Sequence, residues 1–82
     1  MEKEVIYFQA QWCQGCETLT PTMDKIKKQI KVSNINVDYD SSLVEKYNIK
    51  SVPTVILLEN GNEIRRFVGT KSELQIINWL NG

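Results

Sequence analysis

Apolar residues fall into short continuous runs and into helical spacing along the chain, which predicts a mixture of strands and helices. The run from Val5 to Phe8 is apolar throughout, as expected of a strand covered on both faces, and predicts a first strand over residues 4–9. The segment 14–31 is predicted as a helix that bends at Pro21. Its apolar positions recur on one helical face: Leu19, Met23, Ile26 and Ile30.

The rest of the pattern predicts an edge strand with alternating polar and apolar residues, a short helix, two further strands and a last helix. Their predicted ranges are 33–38, 41–47, 54–58, 63–68 and 71–81. Asn60-Gly61 is a strong hairpin signal, so the last two strands should pair antiparallel. The strand–helix–strand crossover makes the first two strands parallel and is right-handed. The sequence therefore predicts an α/β fold of order β-α-β-α-β-β-α, with a four-stranded mixed sheet, the first strand at its centre, and three helices on its two faces.

Polar residues at the predicted helix starts suggest how these helices are capped. Asp40, Ser41 and Ser42 can each cap the second helix. Ser42 with Glu45, and Thr70 with Glu73, fit the capping-box pattern. The last helix is expected to bury its apolar face, which consists of Leu74, Ile77 and Leu80.

Length and charge narrow the class of protein. Eighty-two residues make one domain, 1–82, with no room for a second. The net charge is zero, which argues against nucleic acid or an anionic membrane as the main partner.

No apolar run approaches the roughly 20 residues of a membrane helix, and the charged start from Met1 to Glu4 does not resemble a signal peptide, so we expect a cytoplasmic protein. The chain has no histidine, which excludes Cys-His and Ser-His catalysis and imidazole metal sites.

Both cysteines of the chain, Cys13 and Cys16, stand where the first strand gives way to the first helix. The first N–H groups of a helix lack internal partners and, with the helix dipole, favour an anion. A thiolate at Cys13 would therefore be stabilised and reactive at neutral pH. In a reducing cytosol such a pair is more often redox-active or metal-binding than a structural staple. An inert disulfide remains an alternative, as does a zinc or copper ion bridging two copies, because one chain offers only two thiolates.

Several motifs occur together in this short chain: Trp12-Cys13-x-x-Cys16 after a strand, Pro21 in the following helix, Val52-Pro53-Thr54 before a strand, Asn60-Gly61 in a hairpin, and Gly69 after it. Together they resemble the thioredoxin family, and the resemblance covers essentially the whole chain. It implies a minimal thioredoxin fold. The extra N-terminal strand and helix of full-length thioredoxins are not in this sequence, which leaves the compact core that glutaredoxins share.

The resemblance implies a thiol–disulfide oxidoreductase that reduces protein disulfides. Cys13, expected to be exposed, would attack a substrate disulfide, and the more covered Cys16 would resolve the mixed disulfide. Pro53 is expected in the cis form, with the backbone of the residue before it pairing with the substrate chain. The residues expected to contact the substrate are Trp12, Gln14, Gly15, Val52, Pro53 and Gly69. No cofactor is implied beyond the reversible disulfide itself.

The resemblance also implies partners. These are disulfide-containing substrate proteins, of which ribonucleotide reductase is one candidate, and a reductase such as thioredoxin reductase; the protein itself is expected to be a monomer. A glutaredoxin-like enzyme that uses glutathione is an alternative, disfavoured by Trp12 and by the lack of a Gly-Gly-Asp-like segment after Gly69. A non-catalytic metal-binding or scaffold module is another, disfavoured by the lack of a third thiol or any histidine.

Five positions depart from the family pattern. Gln14-Gly15 separates the cysteines where Gly-Pro is typical, and Glu17 replaces a basic residue. Tyr7 stands at the position of the family's buried aspartate, and Asn34 at that of its lysine partner. We expect Tyr7 in the core and Glu17 in the first helical turn, where a carboxylate suits the dipole but would oppose a nearby thiolate. These changes bear on the redox potential and the route of the proton, and not on the reaction class.

Overall fold

The computed structural model describes residues 2–82 and has the element order β-α-β-α-β-β-α. Its strands are β1 (Lys3–Gln9), β2 (Lys31–Asn36), β3 (Thr54–Glu59) and β4 (Asn62–Val68). Its helices are α1 (Gln14–Ile26), α2 (Ser41–Lys46) and α3 (Glu73–Asn81). The predicted α/β class and the predicted element order are confirmed.

Within the described residues the strands form a four-stranded mixed sheet in the order β2-β1-β3-β4. β1 runs parallel to β2, with Val5 opposite Val32, and antiparallel to β3, with Val5 opposite Leu57. β4 joins β3 antiparallel through the Asn60-Gly61 turn, in which both residues have a positive φ. The two most apolar strands, β1 and β3, lie inside the sheet because both of their faces are covered. The predicted central place of the first strand is thereby confirmed.

Alternate residues of the central strands point to opposite faces, so the sheet carries a hydrophobic core on each side. On one face, Tyr7 and Leu57 pack against α1 and α3, whose buried side chains are Leu19, Met23, Ile26 and Ile76. On the other face, Phe8 and Ile56 pack against α2 and its flanking loops through Leu43, Val44, Tyr47, Ile49 and Val52. This double coverage holds the end of β1 in a fixed position.

The first helix is shorter than its apolar pattern predicts. α1 runs through Pro21 and ends at Ile26. Beyond it, the Lys28 and Gln29 N–H groups donate to the carbonyls three positions back, of Lys25 and Ile26, which tightens the last turn. Ile30, predicted on the helix, lies in this turn and packs on the same core. The following strand accordingly spans Lys31–Asn36 instead of 33–38, in register with β1.

The N-cap of α2 is one of the three predicted candidates, but the predicted capping box is not formed. Asp40 is the N-cap, and its side chain accepts a hydrogen bond from the Leu43 N–H at 3.2 Å. The predicted box of Ser42 with Glu45 is wrong, because the helix already begins at Ser41 and Ser42 lies inside it.

The cap of α3 also lies further along the chain than predicted. Ser72 accepts from the Gln75 N–H, and the Gln75 side chain accepts from the Ser72 N–H, which completes a capping box. The predicted pair of Thr70 and Glu73 is wrong, since the helix begins at Glu73 itself.

The buried face of α3 is centred on a residue that the sequence pattern did not single out. Ile76 is 0% exposed, whereas Leu74, predicted to be buried, is 68% exposed. With the helix starting at Glu73, Leu74 falls in the first turn and faces away from the sheet. Ile77 and Leu80 are partly buried against the core, as predicted.

Substitutions on α3 test this helix orientation. Ile76→Ala should lower the free energy of unfolding by about 2–5 kcal/mol, because it deletes buried methyl and methylene groups and leaves a cavity. Leu74→Ala, which also truncates a large aliphatic side chain on this helix, should change it by less than about 0.5 kcal/mol. Urea unfolding of both variants measures the difference. If Ile76→Ala leaves the chain unfolded, Ile76→Val should still cost about 0.5–1.5 kcal/mol. A larger loss for Leu74→Ala than for Ile76→Ala would contradict the helix orientation.

Candidate active site

The two cysteines lie where the carboxyl end of β1 leads into α1. Cys13 is the N-cap of the helix, and its sulfur accepts a hydrogen bond from the Cys16 N–H at 3.1 Å. This N–H is one of the donors that a first helical turn leaves without a backbone partner. The positive end of the helix dipole acts in the same direction. Negative charge on the Cys13 sulfur is therefore stabilised by the fold itself.

The two sulfur atoms are joined in a disulfide, with the Cα atoms of Cys13 and Cys16 5.2 Å apart. This separation is ordinary for a disulfide. Since the two residues belong to one helical turn and its cap, the pair can form the bond without displacing any other element of the fold.

The expected exposure of Cys13 is wrong for this disulfide form. Cys13 is 6% exposed and Cys16 is 2% exposed. Ala10 from the loop after β1 packs with the two cysteines, and Val37 and Val52 lie against them. Val37 and Val52 are far from the cysteines in sequence, so no local pattern indicates their part of the cover. The predicted order, in which Cys16 is the more covered of the two, is confirmed.

Residues from the second half of the chain converge on the cysteines. The Val52–Pro53 peptide bond is cis, as the resemblance implies, and Val52 packs on the cysteine cluster. The Gly69 N–H donates to the Pro53 carbonyl at 3.0 Å, which ties the end of β4 to this loop. A Cβ added to Gly15 would lie 3.1 Å from Pro53 Cδ, so the first turn of α1 lies close against the proline ring. The structure thus brings Gly15, Val52, Pro53 and Gly69 together.

Trp12 lies at the surface beside this cluster. It is 67% exposed, and its Nε1 donates to Asp38 Oδ2 at 2.9 Å. The ring borders a groove of about 260 Å³ whose other lining residues are Val37, Val44, Ile49, Lys50, Ser51 and Val52. Because Val37 and Val52 line the groove and also pack on the cysteines, this mostly apolar groove adjoins the cysteine cluster. Gln14, the first residue of α1, is exposed.

Val37 and Asp38 are site residues that the sequence pattern did not single out. Both follow β2, and β2 runs parallel to β1. The carboxyl ends of neighbouring parallel strands meet at one edge of a sheet. The predicted parallel pairing of the first two strands therefore indicates that the residues after the second strand lie next to Trp12 and Cys13.

Tyr7 is fully buried beneath the helix that carries the cysteines. Its hydroxyl pairs with Thr20 Oγ1 at 2.8 Å and donates to the Cys16 carbonyl at 3.3 Å. Burial raises the pKa of Tyr7 above the ordinary value for tyrosine; the hydrogen bond with Thr20 partly offsets this, and the charge of Asp24 adds to it. The phenol therefore stays neutral at physiological pH. The prediction that Tyr7 belongs to the core is confirmed.

A second cavity, of about 330 Å³, lies on another side of the cysteine pair. Its lining combines the end of β1, the loop after it and the first two turns of α1: Gln9, Ala10, Gln11, Cys16, Glu17, Thr20 and Pro21. Glu17 occupies the first turn of α1, as predicted.

The part of the chain that the structure describes holds no group of three or more Cys, Asp or Glu side chains arranged to bind a metal ion. Nor does any of its helices have the length and apolar character needed to cross a membrane.

Comparison with known proteins points to one family. The family model described as thioredoxin matches residues 1–82. A thioredoxin of Rickettsia bellii is 36% identical over 81 residues, which cover 94% of this chain and 77% of the relative. A thioredoxin of Chlamydia pneumoniae is 35% identical over 80 residues, covering 94% and 78%.

Solved structures agree in fold. A thioredoxin-2, described as a component of the malaria parasite protein secretion machinery, matches with a TM-score of 0.91 at 33% identity and covers 98% of this chain and 82% of its own. A variant thioredoxin from Halobacterium salinarum matches with a TM-score of 0.91 at 27% identity and covers 98% and 73%.

Replacing Tyr7 tests the buried hydroxyl. Tyr7→Phe should lower the free energy of unfolding of the oxidised chain by about 1 kcal/mol at pH 7, because Thr20 and the Cys16 carbonyl lose a hydrogen-bond partner. Urea unfolding measures the loss. Tyr39→Phe is the matched control. Because Tyr39 is exposed, this variant should have the same free energy of unfolding as the unmodified chain.

The pH dependence of the free energy of unfolding, compared between the unmodified chain and Tyr7→Phe, gives a second test. The folded pKa of Tyr7 is raised, so the folded chain holds this proton more tightly than the unfolded one. The corresponding stability is complete below about pH 10, the ordinary tyrosine value, and is lost as the pH rises towards the folded pKa. Tyr7→Phe has no such proton, so the difference in the free energy of unfolding between the unmodified chain and this variant should shrink above about pH 10. A difference that grows with pH would contradict a buried neutral phenol.

Proposed function

Because the chain belongs to the thioredoxin family and is a thiol–disulfide oxidoreductase, we propose that it reduces disulfides of other proteins, with Cys13 as the nucleophile and Cys16 as the resolving thiol. The observation that supports these roles is the hydrogen bond from the Cys16 N–H to the Cys13 sulfur at the start of α1. A donor placed there favours thiolate over thiol at Cys13, and the thiolate is the attacking species.

The proposed reaction proceeds in two exchanges. In the reduced chain, the Cys13 thiolate attacks one sulfur of the substrate disulfide; a Cys13–substrate bond forms, and the other substrate sulfur leaves as a thiolate. Cys16 then loses its proton and attacks the Cys13 sulfur. The Cys13–Cys16 bond forms, and the second substrate sulfur leaves with the electron pair. The substrate gains two electrons from the chain and two protons, one released by Cys16 and one from solvent, and the chain ends as its disulfide.

The surroundings of Cys13 support substrate binding by the groove and the cis-proline loop. Trp12 is exposed at one end of the mostly apolar groove, and Val52 lies between the groove and the cysteines. We assign substrate contacts to the residues predicted from the sequence, Trp12, Gln14, Gly15, Val52, Pro53 and Gly69. An extended substrate segment would pair with the backbone at residue 52, which is a known form of peptide recognition.

The proposal extends to partners and location. Family membership makes disulfide-containing proteins the substrates and thioredoxin reductase the reductant; ribonucleotide reductase stays a candidate substrate. We further propose that residues 1–82 act as one domain and as a monomer in the cytoplasm, with the reversible disulfide in place of a cofactor. The zero net charge supports a function without nucleic acid or membrane surface. Reduction by glutathione, as in a glutaredoxin-like enzyme, is the competing proposal.

Substitution of each cysteine tests the roles. The chain should reduce insulin disulfides when thioredoxin reductase and its reductant are supplied, and Cys13→Ser should lower the rate to the uncatalysed level because the attacking sulfur is gone. Cys16→Ser should accumulate mixed disulfides through Cys13, since the resolving thiol is missing. Mass spectrometry of the trapped species identifies the bonded cysteine and the substrates.

Other outcomes would assign a different function. Turnover with glutathione alone would favour the glutaredoxin-like enzyme. No reduction with either reductant, together with tight zinc or copper binding, would favour a metal-binding module. A variant that retains only Cys16 and still traps substrates would reverse the assigned roles.

Truncation of Trp12 tests the groove. Trp12→Ala should raise the KM for a protein disulfide several-fold with a smaller change in kcat, because a buried aromatic contact contributes about 1 kcal/mol or more. Tyr39→Ala removes another exposed aromatic ring, one that does not line the groove, and should leave both constants unchanged. Equal effects of the two substitutions would count against substrate binding by Trp12.

A further inference from the structure

The second exchange requires the Cys16 thiol to lose its proton, and the core beneath this residue offers no group that could accept it. Thr54 and Tyr7 are the polar residues fully buried within the described chain; neither a carboxylate nor an ammonium group is among them. The Tyr7 hydroxyl is already paired with Thr20 and with the Cys16 carbonyl, and a neutral phenol is a poor proton acceptor. The proton must therefore leave towards the surface.

The cavity of about 330 Å³ provides that way out. Cys16 and Glu17 both line it, and within the described residues they are the titratable members of its lining. The other polar groups there are the side chains of Gln9, Gln11 and Thr20. The volume is many times what one water molecule needs, and these amide and hydroxyl groups can hold water between the thiol and the carboxylate.

The Glu17 carboxylate is available as a proton acceptor, because it forms no ion pair with any residue of the described chain. The end of β1 and the following loop contribute uncharged Gln9, Ala10 and Gln11 to the same cavity. On α1 itself, Asp24 lies further along the helix, where its charge acts on Tyr7. Glu17 is therefore an unneutralised carboxylate next to the resolving cysteine.

We infer that Glu17 accepts the proton of the Cys16 thiol, through water in this cavity, when Cys16 resolves the mixed disulfide. The proton passes to the carboxylate as the Cys16 sulfur attacks the Cys13 sulfur. The substrate thiolate leaves with the electron pair, and the proton then passes from Glu17 to solvent or to that thiolate. This inference rests on the proposed function and adds to it the residue that activates the second thiol.

The sign of one substitution separates this role from a purely electrostatic one. A carboxylate that acted only as a fixed charge would oppose formation of the Cys16 thiolate, so its removal would speed the second exchange. A carboxylate that accepts the proton promotes the exchange, so its removal slows it. Glu17→Gln removes the charge and the basic oxygen while keeping the size of the side chain.

Stopped-flow reaction of the reduced chain with 5,5′-dithiobis(2-nitrobenzoate) measures the two exchanges separately. Attack by Cys13 releases the first nitrothiobenzoate, and resolution by Cys16 releases the second. We expect Glu17→Gln to slow the second release tenfold or more at pH 7, within reach of what a positioned base contributes. The difference should narrow above about pH 9, where an ordinary cysteine thiol deprotonates unaided. Glu17→Asp, which keeps a carboxylate, should restore part of the rate.

The matched control is Glu73→Gln, since Glu73 also lies in the first turn of its helix but lines neither cavity; its second release should equal that of the unmodified chain. An unchanged or faster second release in Glu17→Gln would overturn the inference while leaving the cysteine roles intact. Failure of the unmodified chain to release a second nitrothiobenzoate would instead count against the proposed function.

Discussion

Strand β1 lies between β2 and β3 and is covered on both faces, so the chain that leaves its carboxyl end must turn directly into α1 at the edge of the sheet. Cys13 stands at this turn, and a free amide of the first helical turn, that of Cys16, points at its sulfur. The reactive group is thus placed by the burial of apolar side chains elsewhere in the molecule. A loop with the same cysteines but no buried strand before it would not hold the helix start in one place.

The charge distribution around the disulfide follows from the small size of the domain. A chain of 82 residues buries only about 60% of the surface it exposes when unfolded, and a buried unpaired charge costs several kcal/mol. Here the position beneath the cysteines holds a phenol that satisfies its own hydrogen bonds. The carboxylate lies at the surface, where its solvation is retained. Neutral groups inside and charge outside are what a domain with a thin stability margin can accommodate.

The order of elements and the cysteine site could be predicted because both depend on local pattern. The apolar run of β1, the Asn60-Gly61 turn and the paired cysteines each specify their own structure. The misplaced features depend on tertiary contacts. Leu74 and Ile76 have similar hydrophobicity, and only the start of α3 at Glu73 decides which one reaches the sheet. The cover over Cys13 comes from Val37 and Val52, which no pattern near the cysteine indicates.

The two residues between the cysteines have unlike surroundings, because Gly15 lies close to the ring of Pro53 and Gln14 does not line that contact. At Gly15, a Cβ would lie 3.1 Å from Pro53 Cδ, so a side chain there requires the proline loop, whose Pro53 carbonyl accepts from the Gly69 amide, to shift by a few tenths of an ångström. Gln14, by contrast, is exposed. A substitution at position 14 therefore acts at the surface, whereas one at position 15 is coupled to the cis-proline loop.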